Sequence, residues 1–205
     1  MWRWRRMPMR GHHHVCPWWL GYVIDNPIRR WIHPPKMLGE WVAAGMTVLD
    51  VGCGHGLFSL GMAKLIGPEG KVIALDMQER MLDVVRARAD KADLDGRVDT
   101  RRAEAPGLGL DERVDFVLAF YVVHEVLDQE GLLRELAGAL KPSARMLLAE
   151  PVIHWPRSHF DQQLRMAADL GLELLEEPRI RFSHAAVLRR RSDAPEGEPD
   201  HGPGE

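Results

Sequence analysis

The run VLDVGCGHGLFS, residues 48–59, constrains this chain more than any other stretch. A short apolar segment ends in Asp50. Three glycines then alternate at Gly52, Gly54 and Gly56, and an amphipathic pattern from Leu57 to Ile66 comes at once. Twenty residues beyond Gly56 a second apolar segment, KVIAL, ends in another acid, Asp76. Strand, glycine turn, helix and acid-tipped strand make a βαβ unit shaped to hold a nucleoside. Glycine has no Cβ, so its backbone takes positive φ and lets a ligand come close. An acid at the tip of the second strand can accept both hydroxyls of a ribose. Dinucleotide-binding turns read GxGxxG and aim backbone N–H groups and a helix N-terminus at a pyrophosphate. Here the turn reads GxGxG. Asp50, two residues before its first glycine, repels phosphate and suits a ligand with a positive end.

Strand and helix patterns alternate along the rest of the chain. Strands are expected at 47–51, 71–75, 97–101, 114–119, 144–150, 172–177 and 182–189, and helices at 35–44, 56–66, 78–92, 129–139 and 157–170. Strands separated by helices pair in parallel. The last two are separated only by Pro178 and a basic break, so they pair antiparallel. The fold class is therefore α/β: a doubly wound seven-stranded sheet, mostly parallel, with its last strand reversed. Ligands in such sheets sit beyond the carboxyl ends of the strands. Asp50, Asp76, Glu104, Tyr121, His124 and Glu150 all fall at or just past those ends.

DVGCGHG with ALDMQERML after it resembles the first two motifs of class I S-adenosylmethionine (SAM) methyltransferases, and the later segments keep the likeness. Arg102-Ala103-Glu104-Ala105 is similar to the acid-small segment that holds the adenine. VDFVLAFYVVHEVLD is similar to the fourth strand and its loop, with HEV where many relatives carry HHV. LLRELAGALKPSARMLLAEP is similar to the helix, Lys-Pro turn and fifth strand. The likeness runs from about Pro35 to Arg190 and implies SAM as cofactor.

The resemblance implies a set of roles. Asp50, Gly52, Cys53, Gly54 and Gly56 form the turn around the methionine end of the cofactor, and Asp76 holds the ribose. Met77 covers the adenine face, Glu104 and Ala105 meet the adenine edge, and Phe120 lines the pocket. Relatives more often carry Asp where Glu104 stands. Tyr121, His154 and Trp155, with Trp18 and Trp19 from the N-terminal segment, are the acceptor contacts. His124 and Glu125 are the acid–base candidates beside the methyl group. Methyl transfer is chiefly a matter of positioning, and a base is needed only where the acceptor must lose a proton.

The chain divides into an aromatic segment at 1–34, a domain at 35–190 and a tail at 191–205. Six of the seven tryptophans lie in the first 41 residues. Relatives commonly use an N-terminal helix as a lid, and Trp18, Trp19, Tyr22 and Val23 form an apolar patch at helical spacing. Asn26-Pro27 can start a further short helix carrying Ile28, Trp31 and Ile32. The competing reading is a peripheral membrane contact, since arginines and tryptophans precede an apolar run. The tail, rich in Pro, Gly and acids, buries too little apolar surface to order itself. His12-His13-His14 near Cys16 is read as an exposed loop, so no metal is expected.

With 27 basic and 30 acidic residues, the net charge of −3 gives no basic excess for nucleic acid. Two cysteines make no disulfide framework, and no signal peptide or membrane-spanning run is read, so the expected location is cytoplasmic. FYVVHE stands where methylases of nucleobase or glutamine amino groups carry an Asn/Asp-Pro-Pro-Tyr-like motif. The reading is a SAM-dependent methyltransferase of a small-molecule acceptor. The alternatives are a nicotinamide-dependent oxidoreductase and a non-catalytic binding protein of the same fold.

Overall fold

The computed structural model describes residues 27–103 and 107–191. A short helix α1 (Pro27–Ile32) and a 3₁₀ turn (Pro35–Glu40) lead into the alternating units. These are β1 (Thr47–Val51), α2 (Leu57–Leu65), β2 (Lys71–Asp76), α3 (Glu79–Lys91), β3 (Val98–Arg102) and β4 (Val114–Phe120). Then come α4 (Gln129–Ala139), β5 (Leu140–Pro151), α5 (Arg157–Asp169), β6 (Leu172–Glu176) and β7 (Ser183–Arg190). The strands form one sheet in the order β3-β2-β1-β4-β5-β7-β6. β7 is antiparallel to both neighbours, β5 and β6, while the other pairs are parallel.

The central strands are apolar on both faces because helices cover both. Along β1, β4 and β5, side chains alternate between two cores. Val48, Phe116, Leu118 and Leu147 meet Phe58, Met62 and Ile66 of the α2 side. Leu49, Val117, Ala119 and Leu148 meet Leu132, Leu133 and Leu136 of α4 and Phe160 of α5. Among the described residues no helix is long and apolar enough to cross a membrane.

Two expectations change. The helix expected at 35–44 is a 3₁₀ turn ending at Glu40. Pro34 and Pro35 supply no N–H for helical bonds, and Gly39 is too weak a helix former to extend the turn. The strand expected at 144–150 begins at Leu140, which pairs with Val114 before Lys141–Ala144 bulge out and pairing resumes at Arg145 with Phe116. The reversed strand is also internal: β7, reached by a short connection from the edge strand β6, inserts beside β5.

Candidate active site

The parallel strands β1, β2, β4 and β5 deliver their carboxyl ends to one edge of the sheet. The glycine turn there is folded back on β2, with Gly52 and Cys53 both donating their N–H groups to the Leu75 carbonyl, at 2.8 and 3.0 Å. Gly52 has φ +67°, and a Cβ on it would lie 2.6 Å from Val122 Cγ2. The loop after β4 therefore packs directly on the turn, two residues before His124. Gly54, at φ +52°, has open space where a Cβ would point. Its N–H donates to Asp76 Oδ2 at 3.0 Å, while Gln78 N–H donates to Asp76 Oδ1 at 2.9 Å.

Asp50 shares its β1 face with Val48, so its carboxylate turns toward α2 and accepts the Ser59 hydroxyl at 2.5 Å. It is buried, and burial pushes its pKa up to about 6, opposed by Ser59 and reinforced by Asp76. Burial likewise raises Asp76, opposed by the N–H groups of Gln78, Gly54 and Met77. Cys53 is buried, and its thiol is raised well above the usual range by burial and then by Asp50 and Asp76. Two buried acids with raised pKa values make a pocket that favours a positive group on its ligand.

Past β4, Phe120 is buried with its ring 4.7 Å from that of Phe58, so this side chain lies in the core beneath the site rather than in its opening. Tyr121 takes φ +63°, an uncommon conformation for a bulky residue, and it turns its hydroxyl to Ser183 Oγ at 2.7 Å. Burial raises the Tyr121 hydroxyl's pKa against the Ser183 hydrogen bond. His33 packs edge-on against both aromatic rings and donates from Nε2 to the Arg181 carbonyl at 2.7 Å. Burial lowers the His33 pKa, opposed by that carbonyl and aided by Arg29. Arg29 of α1 stands 5.9 Å from the centre of the Tyr121 ring, and its charge also reaches Asp50.

His124 lies on a single 3₁₀ turn, Val123–Glu125. Its backbone N–H donates to Glu150 Oε1 at 3.0 Å, and its Nδ1 lies 2.5 Å from Glu150 Oε2. On its other side Nε2 is 3.2 Å from His154 Nε2, and Trp155 packs 5.5 Å from its ring. Glu125 is half-buried on the same turn. Among the described residues no three His, Cys, Asp or Glu side chains are arranged to hold a metal.

The structure thus gathers Asp50, the glycines, Cys53, Asp76 and Met77 at one end of the edge, and Tyr121, His124, His154 and Trp155 at the other. Glu104, Ala105, Trp18 and Trp19 lie outside the described residues. Sequence reading gave no role to Ser59, Arg29, His33, Ser183 or Gln163. A signal existed for Gln163, a polar residue on the helix face of Phe160 and Ala167, all three buried. None existed for Ser183, which meets Tyr121 across 62 positions.

A methyltransferase-domain family model matches residues 43–178, about two thirds of the chain. The chain belongs to this methyltransferase family. It is 31% identical over 143 residues to a ubiquinone biosynthesis O-methyltransferase of Bradyrhizobium diazoefficiens, covering 70% of this chain and 54% of that protein. It is 39% identical over 106 residues to a demethylmenaquinone methyltransferase of Listeria welshimeri, covering 51% of this chain and 44% of that protein. The chain spans about half the length of these curated relatives. A SAM-dependent methyltransferase from Aquifex aeolicus superposes with a TM-score of 0.76 at 25% identity, over 85% of this chain and 99% of that one. SAM is the cofactor that family and fold imply, and the residues fit it. The opening at Gly54 admits a ligand edge, Asp76 keeps lone pairs after its two backbone bonds, and the acids favour a cation.

Proposed function

We propose that this chain transfers a methyl group from SAM to a small-molecule acceptor. The observation that carries this reading is the GxGxG turn tied through Gly54 to the buried carboxylate of Asp76, with the loop bearing His124 packed on the same turn. The bound cofactor supplies a methyl group on a cationic sulfur that is already a good leaving group. Asp76 accepts the ribose hydroxyls, and Asp50 and the glycine turn face the methionine end. Met77, Glu104 and Ala105 surround the adenine. On the acceptor side stand Tyr121, His154 and Trp155, with His124 as base and Glu125 beside it.

The N-terminal segment acts as a lid. Support comes from Arg29 and His33, which bring α1 and the turn after it onto Tyr121 and Phe120. A closed lid keeps the reacting groups dry, and the aromatic side chains of the segment, Trp18 and Trp19 among them, are the type suited to that role. The exposed side chains of Val152, Ile153 and Phe182, near the end of β5, suit an apolar acceptor. The names of the relatives, in ubiquinone and menaquinone chemistry, agree with a small organic acceptor. Calorimetry tests the cofactor: SAM and S-adenosylhomocysteine bind and NAD does not. Tritiated-methyl transfer into a host metabolite extract tests the activity, with product identification giving the acceptor.

A further inference from the structure

The helix α1 has two faces. Arg29 and His33, one turn apart, look in at the site: Arg29 stands over the Tyr121 ring and His33 packs on Phe120. Ile28 and Trp31, on the other side, are 67% and 70% exposed. The Trp31 ring carries the Arg181 guanidinium 4.7 Å above its centre. The next residue, Phe182, is exposed, and its carbonyl accepts the Val152 N–H at 3.0 Å. Val152 and Ile153 are exposed in turn, Ile153 at 84%. One apolar surface thus passes from α1, across the turn before β7, to the end of β5. It holds five of the eight large apolar side chains that are exposed among the described residues. Scattered apolar side chains are ordinary on a surface, but a concentration of them on one edge marks a contact.

Charge on this surface has one sign. Residues 27–34, 151–156 and 178–183, which build it, include Arg29, Arg30, Arg179 and Arg181 and no Asp or Glu. Of the acids at its border, Glu176 accepts the Trp41 indole N–H, Glu177 pairs with Arg157, and Glu40 shares a groove with Arg179 and Arg181. At the amino edge of the sheet the pattern is different. Bases there are matched by acids, Lys71 by Asp99 and Glu112, and Lys141 by Asp115. The same surface of a second copy brings arginines against arginines, which is unfavourable. The first 24 residues carry four more arginines and no acid, so they add to the charge rather than neutralise it. The acidic tail follows β7, whose Arg189 lies opposite Arg145 at the amino edge. Large apolar side chains with arginines among them suit the boundary of an anionic bilayer. The apolar groups enter the edge of the acyl layer, and the guanidinium groups meet phosphates. We propose that this surface docks on an anionic lipid membrane, with the carboxyl edge of the sheet toward the lipid. Among the described residues no helix can span a bilayer, so the contact is peripheral. Tyr121, whose hydroxyl donates to the Phe182 carbonyl at 3.3 Å, and His154, next to Ile153, then stand at the lipid surface. That the acceptor side of the site meets the lipid rests on the methyl-transfer reading; the docking itself does not. The inner face of α1 keeps its place over the site, so docking is compatible with a closed lid.

The test is co-sedimentation of the full chain, without cofactor, with vesicles of phosphatidylcholine alone and of phosphatidylcholine mixed with phosphatidylglycerol. The wild type should bind the mixed vesicles far more tightly than the neutral ones, and salt should weaken that binding. Neutralising two exposed arginines, as Arg179→Gln with Arg181→Gln, should lower affinity for the mixed vesicles about 25-fold, the scale of two charges at the surface. Ile153→Ser should lower it about 10-fold through lost apolar insertion. Leu174→Ser, on the edge strand β6, should bind as the wild type does. All four side chains are exposed, so melting temperatures should not move. Absence of binding by the wild type, or equal binding to both kinds of vesicle, overturns the proposal. So do arginine and Ile153 variants that bind as tightly as the wild type, which place the contact in another part of the chain. A Leu174→Ser loss as large as that of Ile153→Ser marks adsorption without a defined surface and overturns it too. A wild-type dimer that forms without vesicles and that Ile153→Ser dissociates gives the surface to a second copy and overturns the lipid assignment. Calorimetry with S-adenosylhomocysteine is separate: failure of the wild type to bind it counts against the methyl-transfer reading and leaves the docking result standing.

Discussion

Replacing Asp76 with alanine should separate affinity from stability. In the free protein its carboxylate accepts Gly54 N–H at 3.0 Å and Gln78 N–H at 2.9 Å. Hydrogen bonds to a charged group are worth about 1.5–3 kcal/mol each. The same carboxylate is only 8% exposed, and burial raises its pKa, so it stands in the free protein at a cost. Truncation removes the two bonds and the burial cost together. Gly54 and Gln78 are only half-buried, so water can replace part of what their N–H groups lose. The change in stability should therefore be small. The ribose hydroxyls have no such substitute once the ligand covers the site. Losing their charged acceptor should weaken S-adenosylhomocysteine binding by about 1–3 kcal/mol, or about 5- to 150-fold in Kd. Calorimetry gives the Kd, and melting curves with and without ligand give the stability. Asp76→Asn keeps one acceptor oxygen and should fall between. A variant that binds like the wild type refutes the assignment of Asp76. So does a loss of affinity wholly matched by loss of fold in both variants.

The same geometry sets three further expectations. Gly54→Val should abolish cofactor binding by filling the opening, whereas Gly52→Ala, with its Cβ against Val122 at positive φ, should cost about 2–5 kcal/mol of stability; a denaturant series read beside calorimetry distinguishes them. Asp50 has a folded pKa raised from 3.8 to about 6, so its contribution to stability is fully present below 3.8 and is lost as pH rises through about 6. Two units correspond to about 3 kcal/mol, and Asp50→Asn should flatten the stability of the free protein across that window; an unchanged pH profile contradicts the burial of its charge. As a lid, residues 15–34 should become protected from proteolysis when S-adenosylhomocysteine binds, and deleting them should impair turnover more than binding. Salt-sensitive co-sedimentation with anionic liposomes, without such protection, would favour the membrane contact instead.

The local code was strong where one short stretch contained all its partners. The GxGxG turn, the acid at the end of β2 and the alternation of strand and helix are written in neighbouring residues, so the sheet, its reversed strand and the cofactor side were legible. The 3₁₀ turn at Pro35–Glu40 was not, because a mild apolar periodicity conceals how two prolines and a glycine disrupt helical bonding. The placement of Tyr121 depended on one backbone torsion, φ +63°, which brings its ring onto that of Phe120, 4.4 Å away, where simple strand alternation would have sent the two side chains to opposite faces. Asp50 was legible as the acid at the end of β1, but its hydrogen bond from Ser59 was not.

What the sequence determined by itself is the class of fold, the family likeness and the carboxyl edge as the place for chemistry, since these arise from patterns repeated within tens of residues. Only the tertiary structure decided which polar groups act together. His124 and Glu150 are 26 residues apart, His33 and Arg181 are 148 apart, and Tyr121 and Ser183 are 62 apart. Nothing local requires these pairs. They meet because β4 and β5 are adjacent in the sheet and because β7 inserts beside β5. A hydrogen bond depends on a few tenths of an ångström and a direction, and both are set by the packing of the whole sheet.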